Sequence, residues 1–151
     1  MKKIILSIAT VLMISAGAFA NGNASFIGDN VNQQAIASFK KDFAAASNIM
    51  WEQKVGYSKA TFSLNGEILF AYYDNNGELT AVVRNITSEQ LPINLITSMK
   101  RDYDGYWISD LFEVASGDQT TYYVTLENSD KKIVLRSFGI DSWNVYSKEK
   151  K

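Results

Sequence analysis

The 151-residue chain contains no cysteine, no histidine and a single proline, and each shortage narrows what it can be. Without cysteine there are no disulfides, no thiolate ligands and no lipid-bearing cysteine of the bacterial lipoprotein kind. Without histidine, Ser-His-Asp and Cys-His catalysis are excluded and a typical zinc site loses its usual ligands, since imidazole is the side chain that titrates near neutral pH. Charge of one sign is also scarce: 15 Lys and Arg stand against 16 Asp and Glu. No basic block precedes the terminal Lys148-Glu149-Lys150-Lys151, so the electrostatic footprint of nucleic-acid binding is missing. That terminal cluster reads as a solvated charged tail, residues 149–151.

What is present begins with export. Lys2 and Lys3 give a positive start, Ile4 to Ser15 an apolar stretch, and Ala18-Phe19-Ala20 a small-x-small cleavage site, the three parts of a secretory signal over residues 1–20. The apolar stretch falls short of the roughly 20 residues that a spanning helix needs, which favours cleavage over anchoring. The expected destination is the periplasm or the medium, with no membrane anchor after cleavage. The remaining chain is weakly acidic and large enough to bury about two-thirds of its unfolded surface in one domain.

Residues 21–30, rich in Asn and Gly, read as a flexible leader, and order is expected from Val31. Ile36, Phe39 and Phe43 follow helical spacing, with Lys40, Lys41 and Asp42 on the other side. Sixty residues on, Ile96-Thr97-Ser98-Met99-Lys100-Arg101-Asp102-Tyr103 matches Ile36 to Phe43 at four of eight positions, and its apolar stripe is Ile96, Met99 and Tyr103. Two start signals precede it, a capping box from Thr87 to Gln90 and Pro92, tolerated only near a helix start; the main helix is placed at 92–102.

After each helix the period turns alternating. Met50 to Val55, Lys59 to Leu64, Ile68 to Tyr73 and Leu79 to Arg84 read as strands of the first half, Ile108 to Val114, Thr121 to Leu126, Lys132 to Arg136 and Trp143 to Tyr146 as strands of the second. The expected fold class is α+β: two tandem helix-plus-antiparallel-strand repeats, 31–86 and 87–148, sharing one curved sheet with the helices on one face. The other face is left open.

Several stretches carry a resemblance. Phe39 to Phe43, Asn48 to Glu52, Tyr57 to Phe62, Leu64-Asn65-Gly66, Ala71 to Leu79, Leu91-Pro92 and Tyr122 to Leu126 resemble the secreted bacterial proteins called PepSY-like or β-lactamase-inhibitor-like, over residues 31–148. The resemblance implies a tandem helix-plus-sheet architecture and non-enzymatic binding or inhibition of another exported protein. No cofactor is implied. Since fold does not fix function, it names no target.

Sites with chemistry are few. Asp102, Asp104, Asp110, Glu113 and Asp118 could formally supply the two acids of a carboxylate-only hydrolase, though solvated surface and turn positions are the plainer reading. Asp74 to Glu78 has oxygen ligands at alternate positions but lacks the closing acid of a calcium loop and sits where a hairpin turns. Asn23 and Asn85 head glycosylation-type triplets and are taken as unmodified. Trp51, Trp107 and Trp143 read as core.

A two-residue turn at Asn65-Gly66 pairs Phe62 with Leu69, Ala60 with Ala71 and Ser58 with Tyr73 on one face, and Ser63 with Ile68, Thr61 with Phe70 and Lys59 with Tyr72 on the other. The first set suits a helix-covered core. Tyr57, Ile68, Phe70 and Tyr72 then fall on the open face, and Tyr123 joins them beside Thr121 and Thr125. These five are the expected partner-binding residues, exposed together. The expected occupant is an unidentified exported or envelope protein, the alternative a second copy of the chain in a homodimer.

Overall fold

The computed structural model describes residues 26–27 and 30–151; the expected signal and most of the leader lie outside them. In chain order the elements are β1 (Phe26–Ile27), α1 (Gln33–Asp42), β2 (Ser47–Lys54), β3 (Tyr57–Leu64), β4 (Glu67–Asp74), β5 (Leu79–Asn85), a 3-10 turn (Ser88–Gln90), α2 (Ile93–Asp102), β6 (Trp107–Ser116), β7 (Gln119–Glu127), β8 (Lys131–Phe138) and β9 (Asn144–Lys150). The nine strands form one sheet whose spatial order is their chain order. Strands β2 to β9 are an antiparallel meander, and β1, inside the stretch read as a leader, pairs parallel with Met50 and Trp51 of β2.

This corrects the expected fold class. The protein is mostly β, with 53% strand against 19% helix among the described residues, and is not a tandem α+β repeat. What overturns it is the balance of elements, eight long antiparallel strands against two ten-residue helices, while the shared sheet itself is present: Val82–Asn85 of β5 pair directly with Phe112–Ala115 of β6, and Ile86 N–H donates to Leu111 O at 3.1 Å. Sequence similarity marks only an eight-residue match within the two helices, while strands β2 to β9 run seven to ten residues each and dominate the described chain.

Each helix forms for local reasons and lies where its apolar side can be buried. Asn32 caps α1, its Oδ1 accepting the Gln34 N–H at 2.8 Å, and Lys40 and Lys41 complement the carbonyl end. The two start signals before α2 both operate, one after the other. Thr87 N–H donates to Gln90 Oε1 at 2.8 Å around the 3-10 turn, and Pro92 then stands at the N-cap of α2, where no donor is required.

Ala35, Ile36 and Phe39 of α1 pack on Trp51, Ala60, Phe62, Ala71 and Tyr73. Leu95 and Met99 of α2 pack on Leu111, Val124, Leu126, Ile133 and Leu135, with Ile96 and Tyr103 at the margin. Strand register runs Ala71 to Val82 to Ala115 and Arg84 to Glu113 to Tyr122, so both helices cover the same face. Between the two cores Arg84 bridges Glu113 at 3.1 Å and Glu67 at 3.3 Å.

The expected charged tail is part of an edge strand. β9 continues to Lys150, and Lys151 Nζ pairs with Glu127 at 2.6 Å while sitting 4.9 Å from the Trp107 ring centroid. Lysines along β9 suit an edge that must not pair with other chains. Of the three tryptophans read as core, Trp51 is buried and Trp143 packs at the margin of the second core, its Nε1–H donating to Leu95 O at 2.9 Å. Trp107 is exposed.

Candidate functional site: the helix-free face of the sheet

The face opposite the helices is set by the β3–β4 hairpin. Asn65 and Gly66 take φ of 52° and 84°, the two left-handed positions of a tight turn, and the ladder pairs Phe62 with Leu69, Thr61 with Phe70 and Lys59 with Tyr72 as the turn dictates. Tyr57, Ile68, Phe70 and Tyr72 therefore lie away from the helices. The register through β5, β6 and β7 puts Ala81, Val83, Phe112, Val114 and Tyr123 on the same side.

Exposure is where the expectation needs correcting. Ile68 is 42% exposed and Tyr57 and Tyr123 are half-buried, but Phe70 and Tyr72 are only 6% and 5% exposed. They form a third apolar cluster with Ala81 and Val83, edged by Tyr57, Phe112 and Val114. No helix of the described residues lies on this side, and the two rings pack against neighbouring strand side chains. Lys59 Nζ lies 5.1 Å from the Phe70 ring centroid, and the Tyr57 and Tyr72 rings are 5.7 Å apart. The floor of this face is Phe70, Tyr72, Ala81 and Val83, and the residues that edge it form its rim.

The far rim contains residues that alternation did not reveal. Phe112 stacks on Tyr123 at 5.1 Å and 13°, and Tyr123 meets Tyr146 edge-on at 5.7 Å. Arg136, opposite Tyr123 in the ladder, lies over the rings of Phe138 at 4.3 Å and Tyr146 at 5.0 Å. Phe112 was reachable by alternation from Tyr123. Tyr146 lies two residues beyond Asn144, the ladder partner of Arg136, at the register shift between Val134 and Leu135.

The polar groups on this face are unequal in their partners. Glu52 binds Lys59 at 3.1 Å and Lys54 at 3.4 Å; burial opposes its ionisation, but the two ammonium groups outweigh that and hold its carboxyl below the usual range. The Tyr72 hydroxyl is buried with no hydrogen-bond partner among the described residues, and burial, aided by Tyr57 and Glu52, pushes its pKa up. Asp110 stands opposite Thr125 on the same side, and desolvation raises its pKa against the backbone N–H of Leu111 and the charge of Lys132.

A raised carboxyl pKa means the folded chain binds the proton more tightly than the unfolded one, so stability falls as pH rises through that range. Asp110→Asn should therefore raise the melting temperature at pH 7 more than at pH 3, where the wild-type carboxyl is protonated in both states. Thermal melts of the two proteins across pH check this; an equal or reversed difference at pH 7 would refute the desolvation of Asp110.

The five acids that could have formed a hydrolytic pair are not brought together. Glu113 lies on the helix-covered side with Arg84, and Asp110 on the other face. Asp102 is paired with Arg101 at 2.6 Å on α2, while Asp104 and Asp118 sit in turns. Asp102 borders a cleft of about 370 Å³ between α2 and residues 141–143, which also holds Asn94 and Trp143. The Asp74 loop is a turn whose carboxylate is already occupied, Oδ1 accepting the N–H groups of Asn76 at 2.8 Å and Glu78 at 2.9 Å. Among the described residues no group of three or more acids could hold a metal ion.

No protein-family model and no curated protein matches the chain. Solved structures do. A DUF2874 family protein from Bacteroides ovatus superimposes with a TM-score of 0.71 at 17% identity, over 82% of this chain and 89% of that one. A BLIP-like protein from Bacteroides fragilis gives 0.65 at 21% identity, over 78% and 84% of the two chains. A third, from Bacteroides eggerthii and provisionally named a periplasmic protein, gives 0.67 at 15% identity over 78% and 87%. At these identities the likeness is one of fold. It supports the inhibitor-like part of the sequence resemblance and gives none to the PepSY part: this chain has the fold of BLIP-like and DUF2874 proteins.

Proposed function

We propose that the protein is an exported, non-enzymatic binding module that holds another exported or envelope protein on the helix-free face of its sheet, inhibition being one form of such binding. The observation that supports this most is the third apolar cluster: Phe70, Tyr72, Ala81 and Val83 form a floor that no helix of the described residues covers, with Ile68, Phe138 and Tyr146 exposed around it. An apolar floor with an aromatic rim suits a protein partner, because rigid rings bury area with little entropy lost. The BLIP-like neighbour is consistent with binding rather than catalysis. The amino-terminal signal pattern and the provisional naming of the Bacteroides eggerthii neighbour both support export. No helix of the described residues is long and apolar enough to cross a membrane.

The test is capture from an envelope extract followed by face-specific variants. Ile68→Asp and Tyr146→Asp, on the rim, should cost the captured partner on the order of 2 kcal/mol or more each, a hot-spot loss. Ile93→Asp, exposed on α2, should leave binding unchanged. A partner lost with Ile93→Asp and kept by both rim variants would place the interface on the helix side. Light scattering separates the second occupant: a stable dimer at micromolar concentration, broken by Ile68→Asp, would make the partner a second copy of this chain.

A further inference from the structure

We propose that Arg136 is the receptor for a carboxylate, the Asp or Glu side chain of the protein that docks on this face. The inference rests on the reading of the face just given and names the chemistry its partner must present.

Three features of Arg136 carry it. Its guanidinium lies over two rings, 4.3 Å from the Phe138 centroid and 5.0 Å from that of Tyr146, and Tyr146 is itself braced by Tyr123 at 5.7 Å. A cation–π contact uses no N–H donor, so the side chain is held by the rings without spending its hydrogen bonds on them. Second, no ion pair of the described residues uses Arg136, whereas Arg84 is bridged to two glutamates and Lys59 to Glu52. Third, its Nε is shielded from water and donates to no group among the described residues.

A protein that covers this rim removes the remaining water from Arg136. Leaving a charge buried and unpaired would oppose docking, so the partner has to bring the counter-charge with it. The guanidinium fork matches the two oxygens of a carboxylate, and the surrounding rings favour one carried between apolar side chains. An acidic residue flanked by aromatic or aliphatic neighbours on a protruding loop is the stated chemistry.

The test uses peptides as probes on the isotope-labelled exported protein. The arginine side-chain N–H signals and the methyl signals of Ile68 and Val83 are followed while acetyl-Phe-Asp-Phe-amide, its Asn twin or sodium acetate is added. The Asp peptide should move the Arg136 Nε signal and bind about tenfold tighter than the Asn twin, the scale of a bidentate charged pair. Arg136→Gln should equalise the two peptides, and Arg136→Lys, charged but without the fork, should keep only part of the preference. A melting temperature near wild type confirms that each variant is folded. Equal binding of the twins overturns the inference, as does a response to the peptide no larger than to acetate, or a preference that survives in Arg136→Gln. If both twins move Ile68 and Val83 equally, the docking face stands and the carboxylate receptor alone falls.

Discussion

Phe62→Ser should cost about 3 to 5 kcal/mol or prevent folding, the loss seen when a core aromatic is deleted, and Phe70→Ser should cost about 2 to 3 kcal/mol although it lies on the face without helices. Phe62 is fully buried, with the Phe39 ring 4.9 Å away edge-on and Phe43 at 4.7 Å, so its removal opens a cavity under α1 that the rigid helix and two strands have little freedom to close. Phe70 has the Lys59 ammonium on one side and strand neighbours around it, and its cavity can admit water or let the lysine stem collapse inwards. Ile68→Ser, next along β4 on the same face but exposed at 42%, should change stability by less than about 1 kcal/mol. Denaturant melts of the three variants make the comparison. Phe70→Ser within experimental error of wild type would mean that the floor is not packed and that Phe70 is exposed, as alternation alone suggests.

The difference between Phe62 and Phe70 also marks how far the sequence could be read. Alternation and the Asn65-Gly66 turn fix which side of the sheet each residue takes, and the observed ladder agrees pair by pair. Both helices and the eight long strands were likewise legible, because each is announced by its own period and punctuation. Burial on the helix-free side was not, since a one-dimensional pattern says which way a side chain points and nothing about whether its neighbours close over it. Fold class failed for a different reason. Matching helices drew the eye to two helix-led units, whereas the strands outweigh the helices and make the protein mostly β.

Register shifts hid the rest of the site. Irregularities interrupt the ladders at Ser47/Met50, Tyr72/Tyr73, Ile108/Asp110 and Val134/Leu135. Each shifts the pairing by a residue, so the partners of a strand two ladders away cannot be counted from the sequence. Arg136 was accessible by counting along β8, but an isolated arginine in a strand carries no signal of its own. Only the rings of Phe138 and Tyr146 against it, and the lack of a carboxylate beside it among the described residues, give it meaning.

Gly77→Ala should be among the most damaging single-methyl changes available, at about 3 kcal/mol, against about 1 to 2 kcal/mol for Gly66→Ala. Both glycines have positive φ, 76° and 84°, so each substitution bears the strain of an L-residue in the left-handed region. They differ in what lies beyond. A methyl at Gly66 meets nothing within 4 Å, whereas one at Gly77 would stand 2.6 Å from Gln34 Cβ and 2.7 Å from the Gln34 carbonyl carbon. The second of these is helix backbone, which has no rotamer to change. The close approach is built by hydrogen bonds that tie the β4–β5 turn to α1: Ser38 Oγ–H donates to Gly77 O at 2.7 Å, and Asn32 Nδ2–H donates to Asn75 O at 2.8 Å. Asn32 is also the α1 cap, so pushing the turn away strains the helix start as well as its first turn of packing. Thermal melts of the two alanine variants, with Ser38→Ala as a milder probe of the same contact, check the argument. If Gly77→Ala and Gly66→Ala lose the same stability, the strain of the φ angle explains both, and α1 does not rest on the turn.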